Sequence, residues 1–321
     1  MIRVKEFYDY RREKGAIEIN GLFRVSKDKN ILLKCIKNTE RDIEVPEGIE
    51  IIGVAAFEEC EVVNVKLPST IKIIEPYAFC KCINLKTINI PESVTKIEIN
   101  AFSKCKKLKA INIPSSITKI NEGTFRECES LENITIPKSV TEIGMDAFRG
   151  CKSLTSMIIP DNVTKTGWYI FSDCDNLKKV HIPENWTVLF QYLFCNCKAL
   201  EDVNIPKNLT EIEDFVFYGC ENLKNINLPE SLSLTKIGEG AFYECKNLIY
   251  LNLSNIEILE AYVVNNCENL NIVELGSNIK TIEPYNFMSC PNLHKIIFHG
   301  SLVDFYLSAL YEYISKNEVF F

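Results

Sequence analysis

Apolar residues recur along this chain in a fixed beat that is longer than any helix or strand period. In Leu108-Lys109-Ala110-Ile111-Asn112-Ile113 the side chains at 111 and 113 share a face, the period-two alternation of a short β-strand. Pro114 ends that strand, because proline has no amide hydrogen to give a neighbour. A Val/Ile-x-x-Ile segment follows and predicts a second, shorter extended piece. The next run, Ala-Phe-x-x-Cys-x-x-Leu, is apolar at every third residue and predicts a single helical or 3₁₀ turn. Then the phrase begins again, as in LENITIPKSVTEIGMDAFRGC.

The beat holds its phase. Cys60, Cys82, Cys105, Cys128, Cys151, Cys174, Cys197, Cys220, Cys245, Cys267 and Cys290 stand at steps of 22, 23 or 25 residues. Phenylalanine stands three residues before each of them, with Val264 the exception, and leucine stands three residues after, with Val63 the exception. Prolines from Pro46 to Pro229 close the strand segments. A disulfide framework is irregular and confined to short chains, whereas one cysteine per constant interval is a column in a repeat. A unit of ~23 residues encloses too little volume to bury its own apolar face, so units must stack, strand beside strand at about 4.7–4.9 Å.

Composition sharpens this picture. The 321 residues are 46% hydrophobic and 25% charged, so the chain can bury a core and is not a disordered one. A net charge of −7 argues against a protein that coats nucleic-acid phosphates. On length alone two globular domains would be expected; the repeat replaces them with one series of about eleven coils.

The repeated Leu-x-x-Ile-x-Ile-Pro followed by Ile-Gly-x-x-Ala-Phe-x-x-Cys resembles the leucine-rich repeat family, in its BspA-like (Treponema pallidum type) class, over about residues 43–298. The resemblance implies a β-rich α/β fold: a right-handed solenoid with a strand-lined face, used in that family for binding proteins, often at a cell surface. It implies no active site.

The ends read as caps, which shield the terminal cores of a solenoid. The expected organisation is an N-terminal cap over 1–42, the repeat solenoid over 43–300 and a C-terminal capping helix over 301–321. In the first, Ile17–Val25 and Ile31–Ile36 read as the two arms of a hairpin around Ser26–Asn30, after a short helix up to Lys14. In the last, Leu302, Phe305, Tyr306, Ala309, Leu310 and Tyr313 share a helical face behind Ser301. Charges run through the first twelve residues, so no secretory signal is read there, and no apolar stretch spans a membrane. The expectation is a cytoplasmic protein with reduced, buried thiols, with surface exposure the alternative that the family resemblance allows.

Catalytic chemistry finds little purchase. The close pairs Cys80/Cys82 and Cys195/Cys197 and the neighbours His294 and His299 do not match a zinc spacing. No glycine loop suits a phosphate, and no cofactor motif is present. His181 is the sole internal histidine for nucleophilic catalysis, and Glu58-Glu59 falls on a variable surface position. A solenoid enzyme stays as the reading from another class.

The expected function is therefore a non-enzymatic scaffold that binds a protein partner, with a cell-surface adhesin as the alternative. Two surfaces are candidates. The outward strand positions are mostly Asn and Thr, interrupted by Ser156/Ile158 and Lys179/His181. The variable pair before Ala-Phe carries Trp168-Tyr169, Gln191-Tyr192 and Asp214-Phe215 in consecutive coils, with Tyr77, Tyr262 and Tyr285 in the same column elsewhere. These rings either anchor a partner as a ridge or simply pack on one another. Trp186 aligns with the inward Val163 and is expected in the core. The same stretch, 158–192, breaks the core consensus at Thr166 and Leu189-Phe190, which makes it the strongest local pointer to function. In the coil from Pro229, two extra residues around Ser231–Leu234 are expected to form a bulge.

Overall fold

A computed structural model describes residues 14–37, 39–228, 234–299 and 319–320, and forms two compact units: Met1–Leu154 with Lys165–Ile170, and Thr155–Thr164 with Phe171–Phe321. No helix occurs among the described residues. The expected C-terminal helix over 301–321 lies outside them except at Val319–Phe320, which are strand, and the expected N-terminal helix up to Lys14 lies outside them except at Lys14, which is a turn; most of the expected bulge at 231–234 also lies outside them. What is seen at the C-terminal end is a strand, Val319–Phe320, parallel to Lys295–Phe298.

In the first unit each coil contributes to two parallel ladders. The strands before the prolines, Asp42–Glu44, Asn64–Lys66 and Thr87–Asn89, pair in register, and an isolated bridge joins Ala110 to Asn133. The Val/Ile-x-x-Ile segments give two-residue strands, Ile51–Ile52, Ile73–Ile74 and Lys96–Ile97, and again Lys119–Ile120, Glu142–Ile143 and Lys165–Thr166. The cap is more folded than expected. Ile17–Ile19 turns back at Asn20 and Gly21, both with positive φ, to run antiparallel to Phe23–Val25. Ile17–Val25 is thus a hairpin of its own, made by the Asn-Gly pair that a type I′ turn favours. Phe23–Val25 pairs antiparallel with Ile31–Cys35, and that strand starts the parallel ladder through Ile51–Ile52.

The second unit repeats the plan. Ser156–Ile158, Lys179–His181 and Asp202–Val203 are parallel, as are Tyr250–Leu253, Ile272–Leu275 and Lys295–Phe298. The short ladder runs Val188–Leu189, Glu211–Ile212, Lys236–Ile237, Ile258–Leu259 and Thr281–Ile282. Trp186 is buried as expected, and its indole donates to the Val163 carbonyl at 2.8 Å. Phe190 packs edge-on against it at 6.2 Å, so this part of the irregular coil belongs to the core.

The Ala-Phe-x-x-Cys run corrects the helical expectation. It is a chain of tight turns in which the residues two before and two after the phenylalanine take positive φ in every coil, for example Ala55 and Glu59, or Tyr192 and Asn196. Amides then alternate in direction. Ala55, Phe57 and Glu59 donate to Pro76, Ala78 and Cys80 of the next coil, while Ala56, Glu58 and Cys60 donate three residues back. An apolar residue at every third position is therefore produced here by turns rather than by a helix.

Inside this arc the columns explain themselves. Phe57, Phe79, Phe102, Phe125 and Phe148 stack at 4.8–5.9 Å in the first unit, and Phe171, Phe194, Phe217 and Phe242 at 5.4–6.0 Å in the second. Most of the column thiols point back under the stack and donate to a phenylalanine carbonyl of the preceding coil, among them Cys82 to Phe57 at 3.0 Å, Cys128 to Phe102 at 3.2 Å and Cys197 to Phe171 at 3.0 Å. A small hydrophobe with one weak donor fits that position. All fourteen cysteines are free and buried. Burial pushes the thiols of Cys105, Cys128, Cys197 and Cys220 well up, so the reactive thiolate is suppressed.

Two outcomes are expected. A non-denaturing alkylating reagent should leave the column thiols unlabelled by mass spectrometry until denaturant is added; rapid native labelling of Cys128 or Cys197 would contradict the packing. Cys128→Ala should lower stability in chemical denaturation by about 1–2 kcal/mol, through the lost sulfur contacts and the lost thiol hydrogen bond to the Phe102 carbonyl, which keeps the Cys105 amide.

Candidate interaction surface

On the outward side of the strands the small polar face is largely structural. The Asn112 amide clamps the backbone of Ile90, accepting from its N–H at 3.0 Å and donating to its carbonyl at 2.7 Å. Asn204 does the same to Ile182 in the second unit, at 2.7 and 2.8 Å. Asparagine at this position therefore completes the ladder, and the departures from it are what face solvent freely. Ile158 is 71% exposed, directly beside His181 in the parallel register. Lys179 pairs with Asp202 at 3.6 Å. A groove of about 440 Å³ in the first unit lies where the ladder thins to the Ala110–Asn133 bridge, but it is lined by Ile88, Ile111, Ile113 and Ile134 with no charged group.

The turns carry the larger chemistry. The residue two before each phenylalanine has φ between 53° and 67° in all eleven coils, and the chain fills that position with Gly123, Gly240, Asn100 and Asp146, but also with Tyr77, Tyr169, Tyr192, Phe215, Tyr262 and Tyr285. The left-handed region suits glycine and asparagine and disfavours a bulky ring by roughly 1–2 kcal/mol. Six large rings at a position that prefers none need compensation, and the two units supply it differently.

At Tyr169, in the first unit, a cation covers the ring. Arg149 lies over the Tyr169 ring at 5.2 Å. Its guanidinium also meets Asp146 at 3.5 Å, and Arg126 reaches the other carboxylate oxygen at 3.3 Å, so the 8%-exposed Asp146 sits between two arginines. Trp168 is half exposed, and its carbonyl accepts from the Asp146 amide.

In the second unit the rings compensate one another. Tyr192 stacks on Phe215 at 5.0 Å, which joins these two expected residues. The stack continues through Tyr218 and Tyr243, which sequence reasoning missed, to Tyr262 and Tyr285 of the expected column. Phe215 meets Tyr218 edge-on at 6.1 Å, Tyr218 stacks on Tyr243 at 5.2 Å, Tyr243 meets Tyr262 edge-on at 6.5 Å, and Tyr262 stacks on Tyr285 at 4.9 Å. Six rings thus form one ribbon. Tyr218 and Tyr243 follow the phenylalanine, three residues beyond the left-handed position and on the same side of the turn; that i, i+3 relation was the available signal. The Phe215 ring lies over Gly240, where any Cβ would come within 2.4 Å of it. Asn266 donates to the Tyr243 hydroxyl at 2.9 Å.

At Tyr285 the ribbon reaches the last described turn, where the direction of donation reverses. Phe287 donates back to the Val264 carbonyl, and the buried Asn286 amide takes the Val264 N–H while donating to the carbonyls of Glu260 and Glu283. A side chain here satisfies groups that the next coil satisfies elsewhere.

Parallel two-strand coils with stacked phenylalanine turns and a cysteine under each define a leucine-rich repeat protein. The BspA type leucine rich repeat region matches in six copies across residues 29–141, 118–233 and 187–316, and the chain belongs to that family. No curated protein matches it. Among solved structures it is similar to a leucine-rich repeat protein from Bacteroides ovatus, with 25% identity and a TM-score of 0.66 over 88% of this chain and 69% of that one. It also shares its fold with a leucine rich cell surface protein from Faecalibacterium prausnitzii (23%, 0.55, 90% and 94%) and with the pneumococcal vaccine antigen PcpA (19%, 0.60, 90% and 86%).

Removing a ribbon ring while relieving its backbone should nearly cancel. Phe215→Gly is expected to change stability by less than about 1 kcal/mol in chemical denaturation, since one stacked pair is worth ~0.5–1.5 kcal/mol. Phe217→Ala, two residues on and fully buried, should lose about 3–5 kcal/mol. Equal losses in the two variants would show that the ribbon is core.

Proposed function

We propose that the chain is a protein-binding repeat scaffold with no chemistry of its own, and that the partner is held by rings exposed on the turns. In the first unit these are Trp168 and Tyr169. In the second they are Tyr192 and Phe215, with Ile158, Lys179 and His181 forming a separate contact on the strands. The observation that carries this reading is the set of bulky aromatics held in the left-handed conformation. Strain kept at a position where glycine or asparagine is cheaper points to a role for the side chain beyond the fold. Rings with few rotors to freeze are also the side chains that anchor protein interfaces. Fourteen free, buried thiols support a reducing compartment, hence the cytoplasm.

Affinity capture from the native cell tests this. The wild-type chain should retain a specific partner, and Trp168→Ala, Tyr192→Asn or Ile158→Asp should each reduce its recovery with the melting temperature nearly unchanged. Undiminished capture by all three variants would remove these residues from the interface. Cell fractionation with protease shaving of intact cells separates the cytoplasmic reading from a surface adhesin.

A further inference from the structure

The ribbon in the second unit carries an acidic charge that the described residues answer only in part. The five turn segments that build it, 190–195, 213–218, 238–243, 260–265 and 283–288, contain Glu213, Asp214, Glu239, Glu260 and Glu283 and not one lysine or arginine. Two of these acids are occupied by the turns themselves. Glu213 accepts the Gln191 amide at 2.8 Å, and Asp214 accepts the Glu239 amide at 3.0 Å and the Gln191 side chain at 3.2 Å. Glu260 is held by Lys236 at 3.0 Å. Glu239 and Glu283 are exposed and stand one and two residues before Gly240 and Tyr285, along the line of rings. An aromatic strip rimmed by carboxylate attracts cations both through the ring quadrupoles and through net charge.

The first unit shows what such a ring takes. There the tyrosine in the left-handed position is covered by a guanidinium, Arg149 over Tyr169 at 5.2 Å, and that arginine is anchored by Asp146. The equivalent column in the second unit holds Ser172, Cys195, Tyr218, Tyr243, Asn265 and Met288, so no arginine of that column covers the rings there. We propose that the ribbon from Tyr192 to Tyr285 docks an arginine-bearing extended segment of a partner protein. The proposal rests on the protein-binding reading above and names the chemistry of the partner.

Geometry fits arginine in particular. The planar guanidinium lies flat on an aromatic face while its N–H groups reach carboxylates in the ring plane, which a lysine ammonium cannot do. Stacked pairs cover one face of every ring, so a guanidinium meets the strip where that stacking is interrupted, at the edge-on junctions that turn the ring planes by 69° and 60°, and at the half-exposed Tyr285. Alternate side chains of an extended peptide repeat at about 7 Å, close to the ring steps of 4.9–6.5 Å, so an Arg-x-Arg pattern can follow the ribbon. A neutral sugar would leave the exposed carboxylates of Glu239 and Glu283 unused.

The test is calorimetric titration of the full chain with acetylated, amidated (Arg-Gly)4 and with its lysine and citrulline counterparts, and with chitohexaose. The arginine peptide should bind, with the lysine peptide several-fold weaker and the citrulline peptide silent. Raising salt from about 50 to 300 mM should weaken binding roughly tenfold. Tyr218→Leu with Tyr243→Leu should lose about tenfold in affinity, and Glu239→Gln with Glu283→Gln a smaller factor, with circular dichroism unchanged. An arginine peptide that fails to bind, or binds these variants equally well, overturns the proposal, and preferential binding of chitohexaose replaces it with a glycan site. If cellular capture still depends on Tyr192 while the peptide does not bind, the scaffold reading survives and the arginine specificity alone falls.

Discussion

Everything in this protein follows from where the amides of one turn go. Around each phenylalanine the chain bends too tightly for its peptide groups to pair within the coil, so alternate N–H groups pass to the carbonyls of the next one. That alternation needs two left-handed residues per coil at fixed places, two before and two after the phenylalanine. Once those are set, the phenylalanine rings must lie one above another and the cysteine must sit beneath the carbonyl that remains. The thiol then donates to that carbonyl, and the column that looked like redox chemistry becomes hydrogen-bonding hardware.

The same constraint creates the surface. In several coils the left-handed residue and the residue three further on lie side by side at the turn, as Phe215 and Tyr218 do, while in others the second position is buried, as at Ser103 and Ser172. Successive coils align them into two columns. The first unit fills these columns with Arg126, Asp146, Arg149 and Tyr169, joined as ion pairs and a cation over a ring. The second fills them with six aromatics in contact and borders them with acids. The same backbone carries two different chemistries, because the outward columns are the positions that the stacking leaves free.

Much of this was readable from the chain. The period, the strand limits at proline, the buried Trp186 and the exposed Ile158 all follow from residue type and phase. The helical turn did not, because apolar residues at every third position arise equally from a helix and from a succession of tight turns, and only the sign of φ distinguishes them. The extra hairpin at Asn20-Gly21 carried a clear local signal that a longer apolar run obscured. The Asn column was visible as a pattern, yet its reason, the clamp of Asn112 and Asn204 on the preceding coil, depends on a partner 22 residues away.

By itself the sequence determined the repeat, its length, and which columns are buried, because those depend on the phase of apolar residues and on stacking, which every coil imposes alike. Tertiary structure decided the rest: that Tyr192 and Phe215 extend through Tyr218 and Tyr243 into one ribbon, and that Arg149 lies over Tyr169. Those contacts run between coils, across gaps of about 20 residues or more in many cases, and their geometry depends on ring orientation and on a missing Cβ at Gly240. Neither quantity is encoded in the local pattern; both are settled only when neighbouring turns meet.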